Sequence, residues 1–579
     1  MASQTDSAVL TDRLLTLSID NTPMKKPNLE GLTLDVLVMI AEILFQNAPP
    51  KASESLELES GVLAPGVLSL AHTSRALRRA AVPFLYQSLY LAILPRRQST
   101  GRGYEELIKI IRSDRECELV KHVRNIRVKG TIPEENLLLV LNKIANHGSL
   151  RRVSWNTSTH MPRSVYDLLH EKWPQLELSV SVINRYNPDA AYRQMDSRLL
   201  SSPLLTKLIY SVYNQGYFQG YVGDQAVCSE WPELTRCLIA GGHVRSVRTY
   251  NLKDNPSLLG NSVLIDDGTW KLPRFDITAD AHFPALEELC LTISWASGAL
   301  AYLWDEDHCR LFRDAMDWSR MRKLDFGSGH PGAFLRVFNG KIPNLKSLRI
   351  GVAASSSIGT TTTFIESVPA LECLDIAQAD MAIEQLWPSI MKHKSTLKEL
   401  ILRPSTGVNY QPHYIDMSYL EAVAEQVPLL ERLGWIVPCD ENLDAEHLAM
   451  LCNLNLRKVD LFIHLPSTQS DFCGTVWQDQ YGNIPPPPLY RRACFDAATT
   501  LMEMVDQCQE RLLEWVTFHF SRFGMAAMAE RVFMEAKMQL RRRAKNVEAN
   551  EFEGRGLLQW YGPVQHDELL SLEKEWSEH

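Results

Sequence analysis

The residues whose spacing most resembles reaction chemistry are Gly327-Ser328-Gly329-His330-Pro331-Gly332. They match the GxGxxG pattern and follow a segment, Arg322 to Phe326, that reads as a strand. A dinucleotide site needs a helix opening on that turn and an acidic residue roughly 20 positions later. Pro331 sits inside the turn and no acid lies between Gly351 and Ser357, so a connecting loop is expected. His308 and Cys309 are adjacent, which is poor geometry for mutual activation, and each is expected to pack or be solvated. No HExxH, GxSxG elbow or Walker loop occurs, and no Cys/His set has zinc spacing. Carboxylate pairs such as Glu287-Glu288 fall in strand-like phrases, where one member faces solvent. No metal and no cofactor is expected, and the chain reads as a non-enzyme.

Bulk composition narrows the choice. The 579 residues are too many for one core, so several structural units are expected. Apolar residues make up 45% and charged residues 22%, ordinary for a folded protein. A formal net charge of −9 disfavours generic phosphate-backbone binding, so no nucleic-acid partner is expected. The one basic cluster, Lys537 to Lys545 with Arg541-Arg542-Arg543, reads more readily as a helix end whose cations suit the dipole than as a nuclear-import signal or an anionic contact. Eleven cysteines with no CxxC pair read as reduced, mostly buried thiols. The longest apolar run, Val36 to Phe45, is broken by Glu42 and is far short of the ~20 residues of a membrane span. Asp6, Asp12 and Arg13 interrupt the N-terminal stretch, so neither a secretory leader nor a membrane partner is expected. The expected location is cytoplasmic and/or nuclear.

Two short blocks near the N-terminus carry more apolar surface than their own core needs. In Leu32 to Leu44, Thr33 is a candidate N-cap and Asp35 lies in the first turn. Val36, Leu37, Ile40, Ile43 and Leu44 recur at helical spacing. In the second block, Val67 to Arg79, a single helix is expected, with Val67, Leu70, Ala71 and Ser74 on one face. Pro83 suits the first turn of a third helix, and Ser88 to Leu94 reads as a strand.

From about residue 100 one phrase returns: apolar, two residues, apolar, one residue, apolar. It occurs at Val123/Ile126/Val128, Leu150/Val153/Trp155, Leu205/Leu208/Tyr210, Val244/Val247/Thr249, Leu286/Leu289/Leu291, Met321/Leu324/Phe326, Leu345/Leu348/Ile350, Leu371/Leu374/Ile376, Leu397/Leu400/Leu402, Leu430/Leu433/Trp435 and Leu456/Val459/Leu461. Leu176/Leu178/Val180 is a poorer copy. From Met321 the anchors advance by 24, 26, 26, 33 and 26 residues. Each phrase is a strand too small to bury its own apolar face, so neighbours must stack as parallel strands joined by helical crossovers. Ile383 to Lys392 and Met417 to Glu425 have the pattern of such helices. The phrase resembles the leucine-rich repeat. The asparagine position of that repeat is instead Ser294, Gly329, Ala353, Ala379, Ser405, Pro438 and His464, which implies irregular turns and suits the insertion Asn255 to Ala281.

The two N-terminal blocks, with Val82-Pro83-Phe84-Leu85-Tyr86, resemble the F-box of fungal-type F-box proteins. Thr33 stands where that family usually has Pro, Asp35 where it has Glu, and the insert Asn47 to Ala64 is long. The resemblance implies a substrate adaptor of an SCF-type cullin–RING ubiquitin ligase, partnered by a Skp-family adaptor and an unknown protein substrate. Leu32, Leu34, Val36, Leu37, Ile40, Leu44, Val67, Leu68, Leu70 and Ala71 would bind the adaptor. Outward strand positions on a concave face, Arg349, Asp375, Arg403, Arg432, Lys458 and Asp460, would bind substrate. The rival reading is a repeat scaffold outside any ligase, its N-terminal helices a mere cap; a cap buries Leu32 to Leu44, whereas a docking module leaves much of them open. The expected fold is α/β: a disordered tail (1–27), a three-helix F-box-like domain (28–92), a repeat solenoid (100–466), a Pro-rich linker with Pro485 to Pro488 (467–488) and a helical C-terminal cap (489–579). Met502, Val505, Leu512, Val516 and Phe520 would line that cap, which Leu557 to Tyr561 would finish.

Overall fold

The computed structural model describes residues 32–46, 65–92, 108–109, 111–112, 118–146, 150–157, 159–182, 195–216, 227–253, 273–292, 302–352, 358–379, 382–404, 415–437, 445–452, 454–464, 501, 513, 515–525, 531–542 and 552–557. The 1–27 tail, the insert Asn47 to Ala64 and the Pro-rich 467–488 lie outside them. The chain divides into two compact units, residues 1–154 with 167–176, and residues 155–166 with 177–579.

The first unit opens with three helices, α1 (Leu34–Gln46), α2 (Pro65–Thr73) and α3 (Arg75–Leu85). The Thr33 carbonyl accepts from Leu37 N at the start of α1. The second block is two helices where one was expected. Ser74 leaves helical geometry at φ −155°, ψ 167°, and its side chain accepts from Leu77 N. A serine that caps cannot also serve the apolar face, and the capping bond wins. Pro83 lies inside α3 and starts no new helix. It sits in the last turn, where little helix remains to be broken. The strand that follows, β1 (Ser88–Ala92), runs parallel to β2 (Asn125–Lys129), with Leu89 opposite Ile126 and Leu91 opposite Val128. Helix α4 (Glu134–Ala145) buries Leu137, Val140, Leu141 and Ile144 at helical spacing. Strand β3 (Arg152–Asn156) and helix α5 (Arg163–Lys172) follow, each divided between the two units.

The second unit carries β4 (Glu177–Val182), α6 (Ser197–Leu200), β5 (Leu205–Gly216), β6 (Val227–Ser229), α7 (Trp231–Gly241), β7 (Ser246–Lys253), β8 (Glu288–Thr292), α8 (Glu306–Ala315) and β9 (Lys323–Asp325). It continues with α9 (Gly332–Val337), β10 (Ser347–Gly351), α10 (Ile358–Ser367), β11 (Cys373–Ala377), α11 (Ile383–Met391), β12 (Glu399–Leu402), α12 (Met417–Gln426), β13 (Arg432–Val437), α13 (Ala445–Cys452), β14 (Lys458–His464), β15 (Trp515–Met525), β16 (Arg531–Arg542) and β17 (Phe552–Leu557). Strands β4, β5 and β7 to β15 pair in parallel in that order; β6 adds antiparallel to the end of β5. The fold is therefore an α/β repeat with an open parallel sheet, as a solenoid requires. The middle residue of each phrase lies in register with the next: Leu208, Val247, Leu289, Leu324, Leu348, Leu374, Leu400, Leu433 and Val459. All nine are buried.

The C-terminal region departs from expectation. Residues 515–557, expected within a helical cap, contain β15, β16 and β17, the last two antiparallel additions. Val516 and Phe520 lie on a strand, and Met502, Val505 and Leu512 are outside the described residues. The run Trp515-Val516-Thr517-Phe518-His519-Phe520 is rich in aromatic and β-branched residues with period two, and this outweighs a loose three-to-four spacing. The basic cluster through Arg542 is likewise strand, not helix end.

The wide middle repeats are filled by rings. Part of the insertion, residues 273–281, packs inward and brings Phe275 to 4.8 Å from Trp231 and 5.1 Å from Phe283. The contact runs on through Phe312, Trp318, Phe338 and Phe334, with Trp304 5.0 Å from Phe334. His308 belongs to this core. Asp305 caps its helix by accepting from His308 N, and His308 Nε2 lies 2.8 Å from the Tyr302 hydroxyl. Burial, helped by the Arg274 cation, pushes the His308 imidazole down to about 4. His393 is also buried neutral: Nδ1 accepts from Leu371 N, so Nε2 carries the proton toward the Ile365 carbonyl.

Two predictions follow from this packing. His308 is neutral in the fold but takes a proton near pH 6.5 when unfolded, so its contribution is complete above pH 6.5 and is lost as pH falls toward about 4. A loss of about 3 kcal/mol is expected across that window, and His308→Gln should flatten the urea midpoint against pH. A Cβ on Gly351 would meet the Ser328 carbonyl oxygen at 1.9 Å, whereas one on Gly434 would meet the Ile401 Cγ2 at 2.6 Å. Backbone gives less than a side-chain methyl, so Gly351→Ala should lower the melting midpoint more than Gly434→Ala, by about 3 against about 1–2 kcal/mol.

Candidate functional site

Two surfaces stand out, one in each unit. In the first, α1 to α3 close around Leu37, Leu77 and Ala80, with Val38, Leu70 and Ala76 packed against them. A second cluster joins Val67, Ala71 and Ala81 to Leu70, Phe84 and Leu85. With that core filled, α1 still presents large apolar side chains to solvent. Leu32 is 41% exposed, Leu34 42%, Met39 40%, Ile43 39% and Leu44 36%. Among the described residues only Leu303 and Leu429 join them as exposed large apolar side chains.

The expected docking residues therefore divide. Leu32, Leu34 and Leu44 are exposed; Val36, Ile40 and Leu70 are half-buried. Leu37, Val67 and Ala71 are core, and they hold the helices together rather than face a partner. The Leu68 side chain is outside the described residues. Met39 and Ile43, one turn apart, are also exposed, on the side of α1 opposite Leu34. Ile43 was placed on the α1 stripe and Met39 was passed over, because one stripe was drawn through two faces. Leu37 and Ala41, four apart, point in; Met39 and Ile43, also four apart, point out.

In the second unit the strand residues alternating with the buried row form an outward face. Arg349, Asp375, Arg403, Arg432 and Asp460 come together there in one network. Arg403 donates through Nε and Nη2 to the two Asp375 carboxylate oxygens at 2.7 and 2.9 Å. Arg349 lies between Asp325 and Asp375, 3.9 and 3.4 Å from their oxygens. Arg432 Nε donates to Asp460 Oδ2 at 2.7 Å, and Arg432 Nη1 reaches Glu399 at 3.4 Å. His519 Nε2 lies 3.0 Å from Asp460 Oδ1 and its ring stacks on Phe462 at 4.6 Å. The Arg403 guanidinium sits over the same Phe462 ring at 5.2 Å, joining the two halves. Lys458 lies in register beside Arg432 and is half-buried.

Burial alone would raise the Asp460 carboxyl, but the His519 hydrogen bond and the Arg432 cation hold it well below the ordinary carboxylate range. Burial opposes ionisation of Asp375 too, and Arg403 with Arg349 overcomes it. The missed members were Asp325, Glu399, Phe462 and His519. Asp325 was findable, because it occupies the phrase position of Arg349 and Asp375. His519 was hidden by the helical reading of its strand.

The GxGxxG stretch is a connecting loop, as expected. Its Gly327 N donates to Asp325 Oδ1, and Gly351 N donates to the Gly329 carbonyl. A helix does open at Gly332, but it is the six-residue α9. The cysteines with described side chains are free; Cys237, Cys290, Cys309 and Cys452 are buried and Cys373 is half-buried. Among the described residues no group of three or more His, Cys, Asp or Glu is placed to hold a metal ion, and no helix is long and apolar enough to cross a membrane.

Asp460→Asn keeps the shape but strips the charge that both Arg432 and His519 face. A loss of about 3–5 kcal/mol is expected, read as a lower urea midpoint. The native contribution of Asp375 and Asp460 is present above about pH 3.8 and disappears as pH falls below it, because their folded carboxyls titrate lower than their unfolded ones.

No protein-family model matches the chain, and no curated protein matches it.

Proposed function

We propose that the chain is a non-catalytic substrate-recognition subunit of a cullin–RING, SCF-type ubiquitin ligase. In this reading α1 to α3 are an F-box that docks a Skp-family adaptor, the repeats hold the protein substrate, and partner subunits transfer the ubiquitin. The observation that carries it is the set of exposed large apolar side chains on and just before α1. Most of the exposed large apolar side chains among the described residues lie on this helix or the two residues before it, above a core that is already filled. A helical cap would bury them, and an isolated apolar patch of this kind marks an interaction surface. The helical arrangement and the leucine-led first helix agree with the F-box resemblance. A cytoplasmic and/or nuclear location belongs to the same proposal.

The test separates docking residues from core residues. Met39→Asp with Ile43→Asp alters two exposed positions one turn apart on the side away from the core, so the chain should fold with its wild-type melting midpoint. Each lost apolar contact is worth about 1.5–3 kcal/mol, so affinity for purified Skp-family adaptor should fall by more than about a hundredfold. Leu37→Asp should instead disrupt the three helices. Wild-type adaptor affinity in the double variant, or no adaptor binding by the unaltered chain, would remove the ligase reading and leave the repeat scaffold.

A further inference from the structure

We infer that the outward strand face of the second unit holds an extended, carboxylate-rich segment of its partner protein. This rests on the reading of that face as the substrate-holding surface, and it adds the chemistry of what is held. The ion-pair network is uneven in depth. The Arg349 side chain is 34% exposed and Arg432 30%, whereas Asp325 is 13%, Asp375 15% and Asp460 4%. The three aspartates lie beneath the guanidinium groups of Arg349 and Arg432, and Glu399, 37% exposed, is the one carboxylate of the network at the surface.

Those cations are also held in place. A guanidinium has five N–H donors, more than one carboxylate can use. Arg349 Nε is buried between Asp325 and Asp375 and makes no hydrogen bond, so only the outer nitrogens of that guanidinium can meet a ligand. Arginines fixed by buried acids lose less conformational freedom when a second carboxylate arrives. Within the network three arginines face four carboxylates, so the cationic excess belongs to the wider face. From β5 to β14 its described outward side chains include Lys207, Arg248, Lys323, Arg349, Arg403, Arg432 and Lys458 against Glu288, Asp325, Asp375, Glu399 and Asp460. That is a cationic excess in a chain of net charge −9. Strands lie ~4.8 Å apart, so the face from β8 to β14 spans roughly 30 Å, the reach of about nine extended residues.

The experiment uses the full chain and a fluorescein-labelled ten-residue peptide of alternating Glu and Ser, with a Lys-and-Ser peptide as its counterpart. Fluorescence anisotropy should show the acidic peptide binding, more weakly as salt is raised to about 0.15 M, and the basic peptide not binding. Arg349→Gln with Arg432→Gln should weaken binding about tenfold. Because Arg432 also supports Asp460, a second variant, Arg349→Gln with Lys458→Gln, leaves that pair intact and should shift affinity in the same direction. Equal binding of the two peptides, no binding of the acidic one, or unchanged affinity in both variants would overturn the inference. Adaptor affinity, measured separately on the same variants, should be unchanged, so failure here is distinguishable from failure of the ligase reading.

Discussion

The second unit depends on one constraint: no strand in it can bury its own leucine. Each phrase supplies a single inward aliphatic at its centre, and that side chain leaves water only when the next strand lies beside it in register. A slip of one residue would turn the leucine outward and sink an arginine or aspartate into the core. The Leu348–Leu374–Leu400–Leu433–Val459 row is thus both part of the buried core and the device that fixes register. The helices between strands need only be long enough to return the chain.

This explains which parts of the fold were legible in the sequence. The row is periodic and every member is aliphatic, so counting finds it, and the bounds of α11 and α12 follow within a residue or so. The outward positions obey no such rule, since water tolerates many side chains there. Even so, five of the six proposed substrate residues joined one network, because alternation alone identifies the outward face. Legibility failed where two signals competed. Ser74 was counted as a small face residue although its hydroxyl bonds Leu77 N, and the Trp515 strand was read at a spacing that its aromatic alternation contradicts. On α1, type and period were correct but the buried side was not, because both sides are apolar.

The outward network also changes how the repeats share stability. Stacked repeats ordinarily interact only with nearest neighbours. Here Asp325 on β9 connects through Arg349, Asp375 and Arg403 to Phe462 on β14, and from there to His519 on β15. Disturbing one member is felt by strands that do not touch it. The buried acids are the critical members, since an arginine at this surface can turn to water and a carboxylate beneath it cannot.

The parallel pairing of successive strands has a consequence for how the chain is made. Between β9 and β13 each strand pairs with the next one in sequence, so no segment has to wait for a distant partner. A nascent chain emerging from the ribosome can add one finished strand at a time to the template already formed. The strand just completed is then the growing edge, and it is covered by the next few dozen residues to appear. Synthesis itself would protect the growing sheet from sticking to its neighbours on a polysome.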